Sequence, residues 1–128
     1  MTTPQELMQI GAKVVEHNNA GTFDDLFQNY YSENAVSVEA APMPDGNAVC
    51  EGLEAIKAKS EWWLNAHDVH SVKAEGPFAY GTDRFSVIFD MDVTEKASGQ
   101  RIQMRDIGTY YVENGQIVRE EFAYALDG

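Results

Sequence analysis

The chain has 128 residues, of which 44% are hydrophobic, and a formal net charge of −12. This length suits one domain with a core and a modest cavity, and the acidity excludes the Lys/Arg-rich surfaces that bind nucleic-acid backbones and anionic membranes. A single cysteine, Cys50, rules out an intrachain disulfide and suits the reducing cytoplasm. The N-terminal MTTPQELMQIG has neither a basic start nor an uninterrupted apolar core. No apolar run approaches the ~20 residues that span a bilayer, so the expectation is a cytoplasmic protein with no nucleic-acid or membrane partner.

Thr3-Pro4-Gln5-Glu6 reads as a capping box with proline at the first helical position. Leu7, Met8, Ile10, Gly11, Val14 and Val15 then recur at helical spacing until Asn18-Asn19-Ala20-Gly21 stops the helix. Thr22 begins a second helix with Asp25 at its third position and Phe23, Leu26, Phe27 and Tyr30 along one side. Alternation from Ala35 to Ala40 predicts a short strand, ended by Pro42, Pro44 and Asp45-Gly46, with a mobile loop to Cys50. Gly52 or its neighbours open a third helix, whose Leu53, Ile56, Ser60, Trp63, Leu64 and His67 should face the sheet.

The second half is β-rich. A strand from about His70 to Glu75 is broken at Gly76-Pro77, and another runs from about Phe78 to Val93 with Gly81-Thr82-Asp83 as a bulge or bend. In it Phe85, Val87, Phe89, Met91 and Val93 point one way, while Arg84, Ser86, Asp90 and Asp92 point the other. Ala97-Ser98-Gly99 then turns the chain into a long hairpin with Asn114-Gly115 at its tip, since both residues tolerate the positive φ of a type I′ turn. With Glu113 and Gln116 flanking that turn, a regular register sets Tyr111 opposite Val118, Thr109 opposite Glu120, Ile107 opposite Phe122 and Arg105 opposite Tyr124. That face is mostly apolar apart from Glu120. Helices first and a curved antiparallel sheet afterwards define an α+β class.

The two N-terminal helices, Asn19-Ala20-Gly21, a short strand ending at Glu39, EGLEAIKAKSEWW and the closing YYVENGQIVREEFAY together resemble the SnoaL-like group of the nuclear transport factor 2-like superfamily, relatives of polyketide cyclases and ketosteroid isomerase. The resemblance covers nearly the whole chain, as one domain over residues 1–128. It implies a cone: a curved sheet wrapped around the long third helix, open at one end to an apolar pocket and dimerised through the outer face of the sheet. Members include isomerases, dehydratases, epoxide hydrolases and cyclases, and many that only bind or scaffold, so fold alone does not decide function. By this resemblance Glu39 falls where ketosteroid isomerases place their carboxylate base. Their oxyanion-hole tyrosine would fall near Val14, which donates no hydrogen bond. Their protonated aspartic acid would fall near Gly108, with Asp106 two residues away on the same strand face. The arginine and two aspartates of the limonene epoxide hydrolase type have no clean counterpart, because Arg105 and Asp106 are neighbours and point to opposite faces.

Glu39 and Glu120 are the leading catalytic candidates and Asp106 the third, because a carboxyl desolvated in an apolar cone gains a raised pKa suited to proton exchange near neutral pH. The alternatives are a solvent-facing strand end for Glu39, and for Glu120 a structural hydrogen bond to Thr109 or pairing with Arg105. Glu120 is expected to be buried and hydrogen-bonded in either case. Trp63, His67, Phe85, Phe89, Arg105, Ile107, Thr109, Tyr111, Phe122 and Tyr124 are expected to line a cavity for a small apolar or ring-containing molecule. His67, Asp68 and His70 straddle a helix-to-strand transition, and Asp90 and Asp92 lie on the wet face, so no metal site is expected. No cofactor is implied. Two functions remain: a cofactor-free proton-transfer enzyme with Glu39 as base, or a non-catalytic binding or dimerisation module. In either, a homodimer through the sheet is the expected assembly.

Overall fold

In the computed structural model, which describes residues 2–124, the capping box at the N-terminus is formed as expected. The Glu6 N–H donates to Thr3 Oγ1 at 3.1 Å and the Thr3 hydroxyl donates back to the Glu6 carboxylate at 3.1 Å. It starts α1 (Pro4–Ala20), which Gly21 ends in the left-handed conformation. The chain continues through α2 (Phe23–Tyr30), β1 (Tyr31–Val38), β2 (Val49–Glu51), α3 (Leu53–Ala66), β3 (His67–Tyr80), β4 (Arg84–Glu95), β5 (Arg101–Glu113) and β6 (Gln116–Ala123). The six strands make one curved, unclosed sheet in the order β2-β1-β6-β5-β4-β3. All neighbours are antiparallel except β1 and β6, which run parallel.

Phe85, Val87, Phe89 and Val93 are buried on the inner face of β4, as their alternation predicts. Against them lie Leu7, Ile10 and Val14 of α1, with Leu26 and Phe27 of α2 continuing the apolar layer. At 17 residues α1 is longer than the 14-residue α3, and it lies across β3 and β4. Only Ile56 of α3 is buried, while Trp62 and Leu64 are exposed, so α3 closes the open end of the curve rather than filling it.

Three local expectations are corrected. The strand does not break at Gly76-Pro77; β3 continues to Tyr80 with a register shift there, which an edge strand tolerates because the missing proline N–H has no neighbour to serve. Gly81-Thr82-Asp83 is therefore a hairpin turn between two strands, not a bend within one. Val49–Glu51 pairs with β1 instead of belonging to a loop.

The hairpin tip is as expected, with Asn114 at φ 51° and Gly115 at φ 76°, and Glu113 opposite Gln116. The register beyond it is not. Val112 pairs with Ile117, but Tyr111 pairs with Arg119, so Val118 is an extra residue in β6. From there Tyr110 faces Glu120, and Gly108 faces Phe122. The bulge keeps Glu120 and Phe122 inside but turns β5 over relative to the regular register. Arg105, Ile107, Thr109 and Tyr111 consequently stand on the outer face, and none of them lines the large apolar cavity: Arg105 pairs with Asp90 at 2.7 Å, Thr109 bonds Ser86 at 3.0 Å, and Tyr111 donates to Glu121 at 2.9 Å.

The packing of α1 on β3 is tight at Gly11, where an added Cβ would sit 2.5 Å from Pro77 Cβ. Alanine would gain ~1 kcal/mol of helix propensity, but overpacking against a proline ring costs ~1–3 kcal/mol. Gly11→Ala is therefore expected to lower stability in urea denaturation; an unchanged or raised midpoint would show that α1 can shift freely on β3.

Candidate functional site

A cavity of about 860 Å³ opens between α2, α3, the end of α1 and the inner face of the sheet. Its apolar lining includes Phe23, Leu26, Ile56, Trp62, Trp63, Phe89, Met91 and Phe122. Four carboxylates, Glu39, Glu95, Asp106 and Glu120, and one ammonium, Lys59, line the same space, with Glu95 at the His67 end.

Glu120 is 4% exposed and sits on β6 directly beside Ser37 of β1. Tyr31 donates its hydroxyl to Oε1 at 2.5 Å, and Ser37 donates to Oε2 at 3.1 Å. Burial raises its pKa, and the Tyr31 hydrogen bond, the Lys59 charge and the Ser37 bond oppose that rise. Its partners are thus Tyr31 and Ser37 rather than Thr109 or Arg105, both of which the bulge has sent to the other face. The Lys59 ammonium donates to Ser37 Oγ and, at 2.8 Å, to Glu39 Oε1. Tyr124 donates to the other Glu39 oxygen at 3.2 Å. Lys59 also lies 5.3 Å from the centre of the Phe122 ring. The chain of contacts runs unbroken from Tyr31 through Glu120, Ser37, Lys59 and Glu39 to Tyr124.

Asp106 stands apart from that chain. It is 9% exposed, faces Phe89 across the β4–β5 ladder, and its Oδ1 is buried without a hydrogen-bond partner among the described residues. Burial, and then the negative charge of Glu39, push its pKa up to about 6. At Gly108, one step along the same face, an added Cβ would meet Phe89, Tyr110 and Phe122 at 3.0 Å each, so that position is occupied by rings.

Of the residues expected from the sequence, Glu39, Asp106, Glu120, Trp63, His67, Phe89, Phe122 and Tyr124 come together around the cavity. Phe85 does not; it is fully buried beneath, stacked on Tyr110 with ring centres 5.1 Å apart. Lys59, Tyr31, Ser37 and Tyr110 were not singled out. Lys59 had a usable signal, since it follows Ile56 by three residues and precedes Trp63 by four on the helix face turned inward. Among the described residues no three His, Cys, Asp or Glu side chains converge as a metal site, and no helix is long and apolar enough to cross a membrane.

Residues 2–124 match the sequence pattern of the SnoaL-like domain. The chain belongs to the SnoaL-like family. A candidate SnoaL-like polyketide cyclase from Mesorhizobium loti, also described as a carbohydrate phosphatase, is 38% identical over 91% of this SnoaL-like chain and 97% of its own, with a TM-score of 0.84. A candidate isomerase from Bacillus subtilis superposes at TM-score 0.76, with 16% identity over 98% of this chain and 90% of its own. A candidate SnoaL-like polyketide cyclase from Jannaschia sp. CCS1 does so at 0.74, with 14% identity over 97% and 90%. The last two show a shared fold. No curated protein is significantly similar to the chain.

For the SnoaL-like domain the raised Asp106 pKa has a definite sign in stability. The folded state holds the Asp106 proton more tightly than the unfolded chain, so its contribution is favourable below the ordinary value of 3.8 and is lost as pH rises through about 6. Replacing it removes a penalty at neutral pH of at most ~3 kcal/mol, less where water entering the open cavity screens the charge. Asp106→Asn is expected to be more stable than wild type in urea at pH 7.5, with the difference shrinking towards pH 4. Equal differences at both pH values would mean that Asp106 is not desolvated.

Proposed function

We propose that the cavity binds a small apolar, ring-containing molecule and that Asp106 exchanges a proton with it. The observation carrying this reading is the buried, unpartnered Oδ1 of Asp106 in a cavity where Glu39 and Glu120 are already hydrogen-bonded. A pKa of about 6 suits a group that must both take and return a proton near neutral pH. Membership of a family that includes polyketide cyclases and isomerases supports the same chemistry. Glu39, the base suggested by resemblance, acts here by its charge: held by Lys59 and Tyr124, it keeps the Asp106 proton affinity high.

The step is proton abstraction next to a carbonyl. The Asp106 carboxylate takes a proton from the carbon adjacent to a ring ketone, becoming a carboxylic acid, and the C–H electron pair moves into the carbonyl to give an enolate. Lys59 has two of its three N–H bonds engaged, with Ser37 and Glu39, and the third is available to the enolate oxygen. Where the ring ketone carries a β,γ double bond the enolate is a dienolate, and return of the proton from Asp106 to its γ carbon moves the double bond into conjugation and completes an isomerisation.

The competing reading, a binding module without chemistry, is favoured by one observation. Val14 is 0% exposed in the core, so the position where the resemblance would place an oxyanion-hole tyrosine has no donor.

The two are separated by following deuterium uptake from D2O into 2-tetralone, a flat bicyclic ketone with an acidic C–H. Wild type is expected to accelerate uptake, with a rate that rises with pH and levels off above about 6, and Asp106→Asn to lose about 10²–10⁴-fold. Binding without exchange would leave the binding module; neither binding nor exchange would end both readings for ketones of this size.

We also infer that the chain forms a homodimer through the outer face of its sheet, where Phe78, Tyr80 and Ile107 are 47%, 50% and 45% exposed. Sedimentation velocity at tens of micromolar is expected to show a dimer that Phe78→Lys combined with Ile107→Lys converts to monomer. A monomeric wild type would remove this assignment.

A further inference from the structure

His67 ends α3 and opens β3. The last carbonyls of a helix lack intrahelical donors, and the imidazole serves one of them: Nδ1 lies 2.8 Å from the Trp63 carbonyl oxygen, four residues back. A carbonyl oxygen can only accept, so Nδ1 carries the proton, and in the neutral ring Nε2 is left with a lone pair. The ring is also stacked on the Trp63 indole, with centres 4.4 Å apart and planes 21° from parallel. The hydrogen bond sets the tautomer and the stack sets the plane.

Capping the helix uses only one nitrogen. Nε2 has no hydrogen bond to any described residue, and His67 lines the cavity. No described side chain donates to Nε2: Glu95, its partner across the β3–β4 ladder, is acceptor-only when ionised, and His70 is engaged with Thr94 at 2.7 Å. An oriented acceptor at the edge of an aromatic-walled space selects a ligand with a matching donor.

We propose that Nε2 of His67 accepts a hydrogen bond from a hydroxyl group of the cavity's ligand, which makes the ligand class a hydroxylated ring compound rather than a plain hydrocarbon or unsubstituted ketone. This rests on the reading of the cavity as a ring-binding site and adds a second polar contact to it. His67 is a positioning residue; it takes no part in the proton exchange at Asp106. Against the same molecule with the hydroxyl proton replaced by methyl, a neutral hydrogen bond of this kind is worth about 5–10-fold in affinity.

The test compares 1-hydroxypyrene with 1-methoxypyrene, two flat fluorescent probes of nearly equal size, titrated against the full chain. Wild type is expected to prefer the hydroxyl probe by about 5–10-fold. His67→Phe, which keeps a ring to stack on Trp63, should bring the two affinities together, and His67→Gln, whose amide oxygen accepts, should keep part of the preference. Because both probes are measured on each variant, a general loss of stability cancels from the ratio. Equal affinities in wild type, a preference that survives in His67→Phe, or its loss in both variants would overturn the inference while leaving the ring-binding cavity in place. Failure of both probes to bind would overturn the cavity reading and this inference with it.

Discussion

A carboxylate taken out of water at the junction of β1 and β6 is the constraint on which the rest of this architecture depends. Left unpaired, the buried Glu120 charge would cost several kcal/mol, and the chain meets that cost by surrounding it with donors from separate elements. Tyr31 and Ser37 come from the two halves of β1, and Lys59 from α3 joins the chain one step further on. β1 and β6 are the parallel neighbours of an otherwise antiparallel sheet, and Ser37 and Glu120 stand side by side in their ladder. The polar contacts therefore tie together the strands that local hairpin connections do not, and they dock α3 through its lysine where its apolar face contributes only Ile56 to the core.

The same arrangement divides labour among the three acids. Glu120 is committed to structure, and Glu39 is committed to Lys59 and Tyr124. Asp106 receives no donor at Oδ1, yet it feels the charge of Glu39. A group that is buried, unpaired and beside a like charge is held where its proton is exchangeable. Its destabilising effect on the folded chain at neutral pH and the proton transfer proposed for it have one cause.

Much of this was legible from residue order because local chemistry decided it. The Thr3 to Glu6 box, the Gly21 stop, the inward Phe85, Val87 and Phe89, and the Asn114-Gly115 turn each depend on neighbours within a few positions, and each stands as expected. The identity of the inner face of β5 did not. Tyr110 and Tyr111 are adjacent and equally suited to a core, so alternation alone allows either Ile107, Thr109 and Tyr111 or Asp106, Gly108 and Tyr110 to face inward. The extra residue at Val118 decides the matter, and nothing in Gln116-Ile117-Val118-Arg119 marks a bulge. Asp106 likewise ranked behind Glu39 and Glu120: its isolation is the absence of partners, and absence is visible only in three dimensions. Tyr31 and Ser37 were invisible as donors until the parallel pairing of β1 with β6 brought them to the acid.

An unclosed six-stranded sheet has two free edges, and each is blunted differently. At one end β2 is three residues long, too short to template a neighbour. At the other, β3 runs for 14 residues, but its ladder with β4 slips at Val69/Ser71 and again at Glu75/Phe78, and Pro77 within the second slip has no N–H to offer. An incoming strand would find no long straight row of donors and acceptors to extend. The irregularities that interrupt the outermost strand thus allow the sheet to stay unclosed without inviting the edge-to-edge accretion of one sheet onto the next.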